Sequence, residues 1–221
     1  MALALPFILI IAAYLIGSIP FSYIVVKLIA GADIRAHGSR NVGATNVART
    51  FGKLPGIIAL LLDITKGYGA VAVAEWVVGM PQWPYRADLR VMSIRQPEFW
   101  IGLAALTAIL GHMFPLWLRF HGGKGVATAT GAFLAMNPLV LAGGVLVFIV
   151  VLLTTRFVSL SSMLSSASIP LFFRYFAHAP FWTDIFSIAI AILVIAKHHS
   201  NIARLAHGTE RRMGEKKEDS R

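Results

Sequence analysis

Seven apolar stretches, at about 4–28, 55–79, 99–118, 126–137, 139–155, 160–177 and 182–198, leave this chain few ways to fold. A helix needs about 20 apolar residues to cross roughly 30 Å of hydrocarbon, and lipid offers no partner to an open backbone hydrogen-bonding group. With 57% of its 221 residues hydrophobic and a mean hydropathy of +0.72, the chain is too apolar for a soluble domain. The expected fold is therefore an all-α integral membrane protein of seven transmembrane helices. The stretch at 126–137 is short for a full crossing and is ended by Asn137-Pro138. It is expected to tilt, or to begin inside the membrane plane.

The first residues, Met1 to Pro6, carry no basic region and no small-residue cleavage site follows, so the first helix is expected to be retained. No cysteine is present, which excludes disulfides, thiolate metal sites and a cysteine nucleophile. Orientation follows from Lys and Arg. With the N-terminus outside, 15 of the 20 basic residues fall on the inner side. Arg86, Arg90, Arg95 and Arg174 fall outside, and Lys66 lies within the second stretch. The positive-inside rule thus predicts an outer N-terminus and a cytoplasmic C-terminus, with the basic face held against anionic lipid. The mixed charges of residues 211–221 read as a disordered tail, leaving 1–210 as one membrane domain.

Three polar stretches land on that inner side. The first is Gly38 to Arg49, with Ser39, Arg40, Asn41, Thr45, Asn46 and Arg49. The second is His121-Gly122-Gly123-Lys124-Gly125, whose glycines can turn backbone N–H groups toward an anion while Lys124 adds charge. Its spacing is not that of a nucleotide P-loop, because Lys124 is followed by Gly125 rather than Ser or Thr. The third is Lys197 to Glu210. Capping and turn chemistry explain one or two of Ser39, Asn41, Thr45 and Asn46, but four in eight positions beside two arginines exceed a cap. His198 alone would suit a helix C-terminus. Asn201 three residues on shares its helical face, which aims both at one place. Zinc is not expected, since no His-x-x-x-His or cysteine partner exists.

Asp63 and Lys66 are charges inside the second stretch, spaced to pair with each other, and read as structural. Of the serines between 159 and 168, most should pack helices closely, with Ser159 and Ser162 able to face a site. The three His-Gly pairs at 37, 121 and 207 span unequal numbers of apolar stretches, so they form no structural repeat.

From Gly17-Ser18-Ile19-Pro20 through Ser39-Arg40-Asn41-Val42-Gly43-Ala44-Thr45-Asn46, Gly111-His112 to Thr128, and Lys197-His198 to Glu210, the chain resembles the bacterial acyl-phosphate-dependent glycerol-3-phosphate acyltransferases. The resemblance covers nearly everything up to Glu210. It implies seven helices, an outer N-terminus and a site built from three inner-face motifs in the bacterial cytoplasmic membrane. By that resemblance Ser39, Arg49, Lys124, His198 and Asn201 are the catalytic set. Asn41, Thr45, Asn46, Gly122, Gly123, Gly125 and Ser162 bind phosphate or substrate, and Glu210 fixes the third motif structurally. The family commonly has glycine or a basic residue where Arg40 stands. The outer loop 80–98 is not explained by it.

The implied reaction is attack of the sn-1 hydroxyl of glycerol 3-phosphate on the carbonyl of a fatty acyl phosphate, with no cofactor. Either His198 or the departing phosphate takes the proton, since no carboxylate nearby in sequence would orient the histidine. The implied partners are the two substrates, the bilayer and a soluble enzyme that makes the acyl phosphate; no nucleic acid is expected. A transporter for a phosphorylated solute is the main rival, but its polar groups should lie at the midplane on repeated, broken helices. A CDP-alcohol phosphotransferase would need clustered aspartates, and the inner loops offer only Asp33.

Overall fold

The computed structural model describes residues 4–85 and 93–215, and among these every regular element is helical. Arg86 and Arg90 of the outer loop lie outside the described residues, as do Lys216, Lys217, Glu218, Asp219 and Arg221 of the tail. The helices are α1 (Leu5–Ser18), α2 (Phe21–Ala30), α3 (Ala44–Phe51), α4 (Lys53–Val78), α5 (Pro97–Met113), α6 (Val126–Met136), α7 (Pro138–Thr155), α8 (Val158–Tyr175), α9 (Phe181–Lys197) and α10 (His199–Ala206). Each of the seven apolar stretches is helical.

The first stretch is two helices rather than one. Pro20 has no N–H and drives Ile19 out of the helical region, to ψ 116°. The carbonyl exposed by that break does not go unmatched: Lys66 Nζ from α4 donates to the Ile19 oxygen at 2.7 Å. At the other junction, Asn137 Oδ1 accepts from Leu139 N and Val140 N, both at 3.1 Å. This caps α7, whose first residue is proline.

Among the described residues, four apolar runs are long enough to cross a membrane: Leu5–Ala30 taken through its break, Lys53–Val78, Pro97–Leu118 and Pro138–Thr155. A fifth is the pair α9 and α10, bent by 56°. The eleven residues of α6 rise only about 16 Å. The outside of the bundle is apolar, with Leu28 80%, Leu139 85% and Leu153 74% exposed. A face of that kind is stable only against lipid.

Three buried clusters hold the helices. Ile109, Met113, Phe133, Ile169, Phe173 and Ile190 join α5, α6, α8 and α9. Leu9, Ala13, Ala70, Ala74 and Ala104 join α1, α4 and α5. Val26, Ile34, Val47 and Ala59 seat α2 and α3 on α4. The described residues of the 80–98 segment have packing roles that the sequence alone did not disclose. Trp83 is 6% exposed and meets Trp100 edge-on at 5.5 Å, while Tyr85 stacks on Trp100 at 5.3 Å. Trp182 Nε1 donates to the Ser93 carbonyl at 3.0 Å, tying the loop to α9. At the other end, Met213 N donates to the Arg156 carbonyl at 2.7 Å. Arg156 Nη2 returns a bond to the Met213 carbonyl at 3.0 Å. The described start of the tail, 211–215, is therefore fastened to the turn between α7 and α8.

Helices α4 and α6 touch backbone to backbone. A Cβ on Gly67 would stand 2.0 Å from the Thr128 carbonyl oxygen, and one on Gly131 1.9 Å from that of Ile64. Gly67→Ala or Gly131→Ala must force the helices apart, at a cost of about 1–3 kcal/mol. Each should lower the melting temperature in detergent. An unchanged melt for both would contradict this close approach.

Candidate active site

The first motif is a loop held by one amide. Asn46, 4% exposed, accepts from Ser39 N at 3.0 Å through Oδ1 and donates through Nδ2 to the carbonyls of His37 at 3.1 Å and Asn41 at 3.0 Å. Its amide is committed to the loop's backbone, so it shapes the motif rather than meeting a substrate. Arg40 sits at φ 59°, a region that favours glycine. Ser39 and Thr45 are exposed and Asn41 half-buried. Thr45 and Arg49 lie one turn apart on the exposed face of α3.

The glycine turn differs from the expectation drawn from its composition. Gly122 N donates to the Met113 carbonyl at 3.2 Å and Gly123 N to the His112 carbonyl at 3.1 Å. Two of the N–H groups expected to face an anion are thus tied to the end of α5. What the turn presents instead is Lys124, followed by the first turn of α6, whose N–H groups have no intrahelical partner. Gly125, at φ 84°, makes the sharp entry into that helix.

The third motif supplies the counter-charge. Lys124 Nζ donates to Asn201 Oδ1, and Asn201 Nδ2 donates to Glu210 Oε1 at 2.6 Å. Ser159 Oγ donates to the same oxygen at 2.6 Å, and Arg204 Nε pairs with Oε2 at 2.7 Å. Asn201, 5% exposed, therefore has both ends of its amide engaged and works by aiming Lys124. Glu210 accepts from Ser159, Asn201 and Arg204 and so joins α8 to α10. Ser162 does not reach this network, because its hydroxyl donates to the Val158 carbonyl of its own helix at 2.8 Å. Ser159, one turn earlier, is the serine of α8 that joins it. Arg204, which sequence reasoning counted only as inner-face charge, is Glu210's ion-pair partner.

His198 caps α9 at the bend and is 2% exposed. Its Nδ1 lies 2.7 Å from the Val194 carbonyl. A carbonyl only accepts, so Nδ1 carries the proton and Nε2 is left with its lone pair.

The electrostatics follow from crowding cations at the edge of an apolar bundle. Burial pushes the Lys124 ammonium down to about 8, with Arg204 and Arg49 adding to the effect and Glu210 opposing it. Burial alone would raise Glu210, but hydrogen bonds from Ser159, Asn201 and Arg204 outweigh it and hold the carboxyl below its usual range. Desolvation likewise lowers Arg49, which lies within electrostatic reach of Glu210, Arg211 and Arg204. Lys124, His198, Asn201, Glu210 and Arg49 are thus brought together from three motifs. Ser39, Asn41 and Thr45 border them on the loop that Asn46 shapes.

A family described as Glycerol-3-phosphate acyltransferase matches residues 7–208. The glycerol-3-phosphate acyltransferase of Thermosynechococcus vestitus is 43% identical over 203 residues, which cover 91% of this chain and 92% of that protein. That of Desulforamulus reducens is 42% identical, covering 95% and 96%. Among solved structures, PlsY (YgiH), an integral membrane glycerol 3-phosphate acyltransferase, in its glycerol 3-phosphate form, superposes with a TM-score of 0.83. It is 38% identical, over 95% of this chain and 96% of its own. Its lysophosphatidic acid form superposes with a TM-score of 0.80 at 36% identity, over 95% of both chains. With its helices, its three motifs and these likenesses in agreement, the chain belongs to the glycerol-3-phosphate acyltransferase family, whose members are membrane enzymes.

Proposed function

We propose that this acyltransferase moves a fatty acyl group from acyl phosphate to the sn-1 hydroxyl of glycerol 3-phosphate, giving lysophosphatidic acid and inorganic phosphate. The observation that carries this reading is the chain from Lys124 through Asn201 to Glu210 and Arg204, with Arg49 in electrostatic range. Two substrates bearing phosphate need concentrated positive charge, and the site offers Lys124 and Arg49 beside an apolar bundle that suits an acyl tail. The glycerol 3-phosphate and lysophosphatidic acid forms of the similar PlsY support the same substrate and product.

The hydroxyl oxygen attacks the acyl carbonyl carbon, the carbon–oxygen bond to phosphate breaks, and the departing phosphate takes the hydroxyl proton. An acyl phosphate is a mixed anhydride and already activated, so no strong base is required. His198 bonds to a backbone carbonyl rather than a carboxylate, and its burial, with the Lys124 ammonium adding to the effect, opposes a positive charge there. Its neutral imidazole suits substrate positioning through Nε2. Ser39, Asn41 and Thr45 would hold the glycerol phosphate against Arg49, with Gly122, Gly123 and Gly125 shaping the turn beside it.

We read α1 with α2, and α4 to α9, as seven crossings of the bacterial cytoplasmic membrane, N-terminus out and C-terminus in. The 15 of 20 basic residues on the inner side support that orientation. Residues 1–210 form one domain in this reading, and its basic face would receive the soluble donor-supplying enzyme.

Mass spectrometry of the product made from glycerol 3-phosphate and palmitoyl phosphate tests the reaction; absence of lysophosphatidic acid refutes it. Lys124→Ala and Arg49→Ala should each lower kcat/KM by about a hundredfold or more while the protein still purifies folded. Near-parental rates in the double variant would remove the phosphate assignment. His198→Ala should retain a measurable rate with raised KM, whereas complete loss at saturating substrate would make His198 the base. In the free enzyme Lys124 loses its proton as pH rises through about 8. The value of kcat/KM for glycerol 3-phosphate should therefore fall above that pH, and Lys124→Arg should move the fall to higher pH. A flat profile through pH about 9 would mean that this ammonium does not meet the substrate.

A further inference from the structure

Beneath the glycine turn lies a second buried polar cluster that the reaction as described does not use. Asp63 and Lys66 of α4, His112 of α5 and Ser22 of α2 are 1%, 5%, 7% and 1% exposed. Lys66 Nζ lies 2.8 Å from Asp63 Oδ1, a pairing by charge and distance rather than by an aligned hydrogen bond. Ser22 Oγ donates to Asp63 Oδ2 at 3.2 Å. His112 Nδ1 stands 3.5 Å from Asp63 Oδ1. The far edge of the same ring faces the turn. A Cβ on Gly123 would come within 2.2 Å of His112 Nε2 and 2.7 Å of the Val42 carbonyl oxygen, and one on Gly122 within 2.1 Å of the His112 carbonyl oxygen. A small cavity of about 10 Å³, lined by Ser22, Asp63, Lys66, His112 and Gly122, lies beside this contact.

We propose that His112 is a positioning residue for acyl transfer: Asp63 fixes its ring from below, and the ring's outer edge is the floor that sets the Gly122–Gly123 turn and with it the aim of Lys124. Three facts converge on this. The backbone of the turn bonds to the end of α5 at His112 and Met113. Its glycines leave no room for a side chain between turn and ring. The first motif reaches the same spot through Val42, so one imidazole supports two of the three motifs. Asp63 and Lys66 hold that support in place; Lys66 also secures the α1–α2 break through Ile19. The inference rests on the reading of Lys124 as part of the reacting site, and its test is separable from that reading.

Two substitutions divide the ring. His112→Asn keeps a donor where Nδ1 stood, toward Asp63, but removes the Cε1–Nε2 edge under Gly123. His112→Gln reaches the position of Nε2 but surrenders the donor to Asp63. A floor for the turn requires Gln to outperform Asn; a partner for the buried carboxylate and nothing more requires the reverse. In purified enzyme, His112→Asn should lower kcat/KM for glycerol 3-phosphate by about tenfold to a hundredfold, mainly through KM. His112→Gln should stay near the parent. Lysine labelling read by mass spectrometry gives the second measurement. In His112→Asn the pH midpoint for modification of Lys124 should move up toward the ordinary lysine range as the side chain leaves its half-buried seat. Asn equal to or better than Gln, an unmoved Lys124 midpoint, or failure of both variants to fold would overturn the proposal. If Lys124→Ala proved active, the site reading would fall, while the labelling midpoint would still decide whether His112 positions the turn.

Discussion

Three cationic side chains gathered at the margin of an apolar bundle repel one another, and the group that holds Lys124, Arg204 and Arg49 together is the Glu210 carboxylate. Like charges at the edge of a low-dielectric bundle repel one another more strongly than in water. Glu210 offsets that repulsion with charge-assisted hydrogen bonds, which are roughly twice as strong as neutral ones. Its partners come from α8 through Ser159 and from α10 through Asn201 and Arg204, and Asn201 passes the connection on to Lys124 before α6. The carboxylate can do this because its own segment is secured. Residues just beyond it bond to Arg156 at the turn between α7 and α8, and the Arg212 guanidinium lies over the Phe157 ring.

The bilayer explains why a second charged cluster exists at all. A buried ion pair is weak evidence of stability in water-soluble proteins, because desolvation offsets attraction. Here the alternative to pairing is a charge facing lipid, which is worse. Lys66 has two tasks that an apolar residue could not perform: it neutralises Asp63 and satisfies the Ile19 carbonyl freed by Pro20. The break between α1 and α2 and the ion pair in α4 are therefore one feature, and His112 extends it to the glycine turn.

Much of this was legible in the residues. Apolar runs located the long helices and Asn137-Pro138 marked a helix end, but the break at Pro20 inside the first run was not foreseen. The three motifs pointed to a candidate site because polar residues so dense beside lipid-length helices have few structural uses. What could not be read was which polar atoms face one another. Ser159 and Ser162 both lie in the first turns of α8, and only the placement of Glu210, about fifty residues on, decides between them. The glycine turn misled for a similar reason: composition showed that Gly122 and Gly123 could offer their N–H groups, but not that the end of α5 already holds them. Nor do eight-residue amphipathic helices such as α3 and α10 stand out from loops when half their residues are polar. They form because Val47 and Asn201 are buried against the bundle.

The arrangement divides the labour of its charges in a way that suits transfer between two anions. Glu210 is shared among Lys124, Arg204 and Arg49, so the surrounding positive charge is never fully balanced within the protein. Burial lowers the Lys124 ammonium, and Arg204 and Arg49 add to that against the opposing Glu210. A phosphate arriving beside Lys124 supplies the missing negative charge, favours the protonated lysine and so strengthens its own contact. In the proposed reaction, negative charge moves onto the departing phosphate in the same field, so the electrostatics that favour binding would also favour the transition state. A neutral His198 fits that scheme better than a charged one, since a further cation would tighten the hold on inorganic phosphate and slow its release. On the proposed reaction, acyl transfer would call for little from a base and much from the placement of Lys124, the side chain to which the chain of buried contacts from Glu210 through Asn201 leads.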